Sequence, residues 1–137
     1  LLRAGPQAAK LQIWVDNRQR MDELVCDGVL VATPAGSTAY NYSAHGPILP
    51  MGADVLAMTA LNAYRPRRWR GALLPKTAVV RIDVLDNTKR PVMADADSIS
   101  FKNVKKVEIS SETQIQHRIL FNEGHGLDER LIQEQFV

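Results

Sequence analysis

One segment organises this sequence, and it reads Asp27-Gly28-Val29-Leu30-Val31-Ala32-Thr33-Pro34-Ala35-Gly36-Ser37-Thr38-Ala39-Tyr40. Its apolar part, within residues 27–33, predicts a central strand that ends before Pro34, because proline has no N–H to donate to a sheet. Small residues follow, and Ser37 or Thr38 is predicted to cap a short helix over residues 36–44. Such a corner offers N–H groups and hydroxyls to a polar or anionic ligand. The same residues also suit an ordinary capped corner that binds nothing, since neither glycine-rich phosphate fingerprint is present.

Alternating apolar and polar residues predict strands on both sides of this segment. Residues 10–16 and 21–25 are predicted to form a hairpin around the turn formers Asp16 to Gln19. Further strands are predicted over residues 79–84, 91–96, 99–101, 104–110 and 114–121, with a turn at Asp97, and a helix is predicted over residues 128–136. Many short strands with little helix indicate a mainly β, β-sandwich-like fold with a few short helices.

Composition limits the classes of protein that this chain can belong to. Its 137 residues, 45% hydrophobic and 23% charged, suffice for one globular domain with a core. No apolar run is long enough to span a bilayer, and a net charge of +2 is too small to indicate nucleic-acid binding. The only cysteine, Cys26, permits no internal disulfide, which suits a cytoplasmic location, and it is predicted to be a small buried residue. We therefore expect neither a membrane nor a nucleic acid as partner.

The run from Cys26 to Ile48 closely resembles the central motif of the NAD kinases. The shared pattern is Asp-Gly, a hydrophobic strand, Thr-Pro-x-Gly-Ser-Thr-Ala-Tyr, and then Ser and Gly-Pro. Later landmarks extend the resemblance over most of the chain; they are Arg70 with Leu73-Leu74-Pro75, Arg90-Pro91-Val92 and the turn at Asp97. The resemblance implies the C-terminal domain of the NAD kinase/diacylglycerol kinase type, and it favours a strand over residues 55–63, where composition alone favours a helix.

The activity that the resemblance implies is that of a phosphotransferase. NAD kinases transfer a phosphoryl group to the adenosine ribose 2′-hydroxyl of NAD, giving NADP, from ATP or, in some members, inorganic polyphosphate. Mg²⁺ is expected to accompany ATP in the full enzyme. The family also implies a homo-oligomer, a dimer or a tetramer, in which neighbouring subunits share the dinucleotide site.

The resemblance assigns NAD contacts to five residues of this sequence, namely Asp27, Thr38, Ala39, Tyr40 and Ser43. Asp27 matches a residue at the nicotinamide-ribose end, whereas Thr38 and Ala39 match residues that hydrogen-bond adenine. Tyr40 matches a tyrosine that packs against the dinucleotide, and Ser43 matches a serine near the ribose. Ser37 matches a position that we interpret as structural. By chemistry alone, these residues also suit a strand-entry carboxylate, a helix cap and a half-buried tyrosine.

The family's catalytic Asp lies in a Gly-Gly-Asp-Gly loop, followed by an Asn-Glu pair, and the chain lacks this loop. Its own Asn122-Glu123 lies near the wrong end to be that pair, and the first residue is Leu1 rather than Met. We therefore expect residues 1–137 to be the NAD-binding C-terminal domain of a longer enzyme, with no catalytic residue of its own and no activity alone.

Other candidate sites have simpler explanations. The basic stretch from Arg65 to Arg70 is interpreted as a solvated surface, His45 as a loop residue, and the Asp95 and Asp97 pair as part of a turn rather than a metal site. His117 and His125 lack the neighbours of a zinc site, so no metal ligand is predicted. Two alternatives to an NAD kinase stay open at this point: a lipid or diacylglycerol kinase-like domain, and a non-catalytic β-sandwich that serves oligomerisation.

Overall fold

The computed structural model of the protein describes all 137 residues. Ten strands and two helices follow one another along the chain: β1 (Leu2–Arg3), β2 (Ala9–Val15), β3 (Arg18–Cys26), β4 (Gly28–Ala32), α1 (Tyr40–Ser43), β5 (Val55–Leu61), β6 (Gly71–Pro75), β7 (Val80–Leu85), β8 (Val92–Ala96), β9 (Ile99–Phe101), β10 (Lys106–Ile109) and α2 (Leu127–Gln135). A single 3-10 turn, Pro34–Gly36, lies between β4 and α1. Neither helix is long and apolar enough to cross a membrane.

Two antiparallel sheets build the domain. The larger has the strand order β6-β5-β4-β1-β8-β9, and the smaller has the order β10-β7-β2-β3. Alternate residues of β2 are buried, and Leu11 and Ile82 from the smaller sheet share one core cluster with Val29 and Val92 from the larger sheet. Because residues of both sheets meet in this cluster, the hydrophobic core lies between them. The β-sandwich-like prediction is confirmed.

The β2–β3 hairpin forms where the turn formers predicted it. Asp16 and Asn17 adopt φ angles of 51° and 60°, a left-handed conformation that Asp and Asn tolerate better than most residues. Val15 pairs with Arg18 across this two-residue connection, so β3 begins earlier than the predicted residue 21. The turn chemistry therefore sets the register of the smaller sheet.

The segment that organises the sequence lies in the middle of the larger sheet. β4 pairs along its whole length with β5, from Gly28 opposite Leu61 to Ala32 opposite Ala57. The strand ends before Pro34, as predicted. The helix that follows is shorter than predicted: α1 has only four residues, and residues 37–39 form a turn instead. The resemblance-based prediction of a strand over residues 55–63 is confirmed by β5.

One predicted strand is wrong, and two observed strands were not predicted. Residues 114–121 do not form a strand, since no strand pairs with them and their apolar side chains are exposed, Leu120 to 88%. An alternating pattern alone is not enough, because a strand needs a partner for its backbone. Conversely, the short strand β1 and the edge strand β6 had not been predicted. The C-terminal helix is confirmed as α2, with Leu131 buried.

Candidate functional site

A surface cleft of about 660 Å³ lies beside the junction of β3 and β4. Its other walls are formed by α1 with the two residues that follow it, by the end of β5 and by the loop between β5 and β6. Three of the five predicted NAD-contacting residues line this cleft, and they are Asp27, Tyr40 and Ser43. Asp27 reaches this concave surface from the β3–β4 junction, and Tyr40 and Ser43 reach it from α1. Concavity with a few convergent polar groups is typical of small-molecule sites.

Asp27 is held by two donors, one on each carboxylate oxygen. The Arg3 Nε donates to Oδ1 at 2.7 Å, and the Asn62 Nδ2 donates to Oδ2 at 2.8 Å. The hydrogen bond from Asn62 is the largest cause that holds the pKa of Asp27 below its ordinary value; the hydrogen bond and charge of Arg3 lower it further, while partial burial opposes both. Asp27 is therefore an ionised acceptor at neutral pH, with lone pairs left for a ligand.

Tyr40 and Ser43 reach the cleft from α1. They are three residues apart, about one helical turn, so both face the same side of this short helix. Tyr40 is 56% exposed and lines the cleft, so an aromatic side chain there is accessible to a ligand. The Ser43 side chain is also exposed at the cleft. Tyr40 and Ser43 thus contribute one aromatic ring and one hydroxyl to the cleft that Asp27 also lines.

Thr38 and Ala39 lie beside the cleft rather than in its lining. Ala39 is the N-cap of α1, and its backbone N–H already donates to the Gly36 carbonyl at 3.1 Å. Thr38 is half-buried in the same turn. The structure therefore brings together three of the five predicted residues and leaves the other two in the adjoining turn.

The predicted capping role of Ser37 or Thr38 is wrong. α1 has no side-chain cap, and Ser37 is fully buried, with its Oγ donating to the Pro34 carbonyl at 2.7 Å and accepting from the Leu49 N–H at 2.9 Å. Ser37 thus ties the turn to the chain beyond α1, which agrees with its interpretation as structural. N–H groups that close the turn internally are not available to an anion.

A buried polar network beneath α1 had not been predicted from the sequence. It consists of Ser37, Asn41 and Thr59, each at most 1% exposed. The Asn41 Nδ2 donates to the Ser37 carbonyl at 3.0 Å and to the Pro47 carbonyl at 2.8 Å, and the Thr59 hydroxyl donates to the Asn41 Oδ1 at 2.6 Å. The network anchors the helix that carries Tyr40 and Ser43 to β5.

The basic stretch from Arg65 to Arg70 is exposed, as interpreted from sequence, except for half-buried Trp69. Arg65 also pairs with Glu23 at 3.6 Å. However, the last three residues of the stretch line the cleft, which gives its rim two cationic side chains. His45 lines the cleft too, in a loop position with φ of 63°, which agrees with its interpretation as a loop residue.

The chain presents no cluster of three or more His, Cys, Asp or Glu side chains that could hold a metal ion. Asp95 accepts a hydrogen bond from the Ser100 hydroxyl, and Asp97 is the turn residue between β8 and β9 with φ of 52°. The predicted turn at Asp97 is confirmed, whereas Asp95 lies in β8. Cys26 is 1% exposed, and burial raises the pKa of its thiol to about 12, so the prediction of a buried residue is confirmed.

Comparison with known sequences agrees with the motif. The chain matches the family described as the ATP-NAD kinase C-terminal domain over residues 2–116. It is 73% identical to the NAD kinase of Cereibacter sphaeroides over 137 residues, which is 100% of this chain and 54% of that protein. It is 57% identical to the NAD kinase of Hyphomonas neptunium, with the same coverage of 100% and 54%. The chain spans about half the length of the curated relatives it matches.

Two solved structures share the fold. Yeast NADH kinase complexed with NADH is similar with a TM-score of 0.71 and 27% identity, over 81% of this chain and 32% of that chain. An NAD kinase from Archaeoglobus fulgidus in complex with ATP has a TM-score of 0.70 and 23% identity, over 82% of this chain and 43% of that chain, and shows the fold alone. Because the family match covers most of the sequence, the chain belongs to the ATP-NAD kinase C-terminal domain family.

Proposed function

We propose that residues 1–137 form the NAD-binding C-terminal domain of an NAD kinase, which phosphorylates the adenosine ribose 2′-hydroxyl of NAD to give NADP. One observation carries the proposal: Asp27, Tyr40 and Ser43, three residues of the family motif, line a single cleft. The family match over residues 2–116 favours an NAD kinase over a lipid or diacylglycerol kinase-like domain. The catalytic Asp would lie outside this chain.

The proposed role of the cleft is to position NAD. Phosphoryl transfer depends on alignment and charge neutralisation more than on covalent chemistry by the protein. The ionised Asp27 only accepts hydrogen bonds, so the ribose hydroxyls are suitable donors to it. Tyr40 would pack its exposed ring against the dinucleotide, and Ser43 would bond the ribose. Thr38 and Ala39 would meet the adenine from the adjoining turn.

The remaining parts of the reaction are proposed for the whole protein. The phosphoryl donor would be ATP, with inorganic polyphosphate as the alternative; the matched family is described as the ATP-NAD kinase C-terminal domain. Mg²⁺ bound with the donor would neutralise phosphate charge, and no residue of this chain is assigned to it. A homo-oligomer and a cytoplasmic location complete the proposal, the latter supported by the single cysteine, which is free and buried.

The test follows NADP formation by the full-length protein with ATP. Tyr40→Ala and Asp27→Asn are each expected to raise the KM for NAD about tenfold or more, because each removes a direct contact worth about 1.4 kcal/mol or more. Tyr64→Ala is the matched control, since Tyr64 is 64% exposed and does not line the cleft. An unchanged NAD affinity in both cleft variants would instead favour a non-catalytic oligomerisation module.

The same assay tests the domain proposal. The isolated 137-residue chain is expected to form no NADP, because the loop that carries the family's catalytic Asp is absent from it. The assay is run beside the full-length protein at equal concentration, with NAD and ATP in excess. Measurable turnover by the isolated chain would contradict the assignment of the catalytic residue to another part of the protein.

A further inference from the structure

Asn62 faces Asp27 across the end of the β4–β5 ladder. The Asp27 N–H donates to the Leu61 carbonyl at 2.8 Å, and the next pair along the ladder is Gly28 opposite Leu61. The backbone on the other side is fixed as well, because the Arg3 N–H donates to the Asp27 carbonyl at 2.8 Å. Asp27 and Asn62 are thus brought together by the register of the sheet, 35 residues apart in sequence.

We infer that Asn62 is a positioning residue, which orients the Asp27 carboxylate toward the ribose of NAD. The inference rests on the proposed function, because it takes Asp27 as a contact of NAD. Arg3 alone, bonded to Oδ1 at 2.7 Å, leaves the second oxygen free to turn. The Asn62 amide on Oδ2 at 2.8 Å fixes the plane of the carboxylate. Each oxygen then keeps one acceptor site for the ligand.

The conformation of Asn62 fits this role. Its φ is 51°, the left-handed region in which asparagine is tolerated, and its side chain is exposed at the cleft lining. A turn alone would be served equally well by glycine, which adopts this conformation without strain. The amide, by contrast, is needed only by Asp27. Exchange of Asn62 for glycine therefore separates the backbone requirement from the hydrogen bond.

The charged groups around Asp27 do not replace the hydrogen bond that Asn62 donates to its carboxylate. Arg3 is the only cation bonded to the carboxylate, while Cys26 beside it is buried with a raised pKa and uncharged at neutral pH. The other titratable or charged groups in the cleft are Tyr40, His45, Arg68 and Arg70. The Asn62 amide is a neutral donor, so it stabilises the ionised carboxylate of Asp27 without adding a second positive charge beside it. Loss of this donor therefore raises the pKa of Asp27.

The experiment compares Asn62→Gly with the unaltered full-length protein. NAD affinity is measured by calorimetry at pH 7, and Asp27 is titrated by carboxyl carbon NMR. We expect NAD to bind about three- to tenfold more weakly, the loss of one hydrogen bond, and the pKa of Asp27 to rise. Asn17→Gly is the matched control, because Asn17 is also left-handed, with φ of 60°, but lies in the β2–β3 turn outside the cleft lining. Thermal unfolding checks that each variant is folded.

The double variant Asp27→Asn with Asn62→Gly separates this inference from the proposed function. A residue that acts through Asp27 is expected to add little once Asp27 is altered. If Asp27→Asn weakens NAD binding while Asn62→Gly changes neither affinity nor the Asp27 titration, the inference is overturned and the proposed function stands. If Asp27→Asn leaves NAD binding unchanged, the inference is overturned, and the proposed function is overturned as well if Tyr40→Ala also leaves NAD binding unchanged. Additive losses in the double variant would also overturn the inference, since Asn62 would then act independently of Asp27.

Discussion

Two polar arrangements border the cleft, and they differ in their access to water. The buried network of Ser37, Asn41 and Thr59 lies beneath α1, with each residue at most 1% exposed. The second arrangement is the Asp27 cradle, in which Arg3 and Asn62 hold a carboxylate that is 37% exposed. Water can replace a lost partner in the cradle but not in the network. The network therefore determines where α1 lies, whereas the cradle adjusts the orientation and charge of one side chain.

Within this comparison, the largest loss of stability is expected from a change at Gly46. A Cβ added there would lie 2.2 Å from the Asn41 Oδ1 and 2.6 Å from the Thr59 Oγ1, so Gly46→Ala would break the buried network. We expect a loss of about 3 kcal/mol in the free energy of unfolding, from overpacking and from buried polar groups without partners. Denaturant unfolding measures it. Gly52→Ala is the control, since nothing lies within 4 Å of its Cβ, and equal effects in both variants would contradict the comparison.

Thr59→Val tests the network without a steric clash. Valine has the shape of threonine but no hydroxyl, so the Asn41 Oδ1 would lose the donor that lies at 2.6 Å. We expect the free energy of unfolding to fall by about 1–3 kcal/mol, the cost of one unsatisfied buried acceptor. Thr77→Val, at an exposed turn, is expected to change it by less than about 0.5 kcal/mol. A small effect at Thr59 would mean that water or another donor replaces its hydroxyl.

Local chemistry predicted those parts of the fold that depend on neighbours in sequence. Asp16 and Asn17 placed the first hairpin, and Pro34 placed the end of β4. β5 was different, because its Leu, Met and Ala residues favour a helix, yet it lies between β4 and β6 and is buried after Val55. Tertiary packing overrides propensity in such a strand. Residues 114–121 show the reverse case: their alternating pattern favours a strand, but no neighbouring strand pairs with them.

The candidate site also contains residues that the sequence indicates and residues that only the fold brings together. Asp27, Tyr40 and Ser43 can be proposed from the sequence because they belong to one contiguous motif, which also includes Thr38 and Ala39, outside the cleft lining. The supporting polar residues gave no local signal. Asn41 and Thr59 are 18 residues apart, and a single amide or hydroxyl in a sequence does not indicate its partner. Asn62 likewise gives no signal in the sequence, because only the sheet register brings it against Asp27, 35 residues away.

The smallest effect is expected from the cradle, and its sign follows from the pKa of Asp27. The folded-state pKa lies below the ordinary value of the unfolded chain, with the Asn62 hydrogen bond as the main cause. The ionised form is therefore favoured in the folded state, which stabilises the protein above the unfolded-state pKa. This contribution is lost as the pH falls from the unfolded-state value through the lowered one. Since the carboxylate is 37% exposed, solvent screening limits the contribution to less than about 1 kcal/mol.

Asp27→Asn tests this by removing the titrating group while keeping the size of the side chain. Denaturant unfolding from pH 7 down to pH 2 is expected to show a small deficit in stability for the variant at neutral pH, which shrinks only below the ordinary aspartate pKa of about 3.9. Added salt should reduce the same deficit, because an exposed ion pair with Arg3 is screened. In contrast, the loss caused by Thr59→Val should not depend on pH or salt, since no charge takes part in it. A deficit at Asp27 as large as that at Thr59 would mean that the cradle, too, supports the fold.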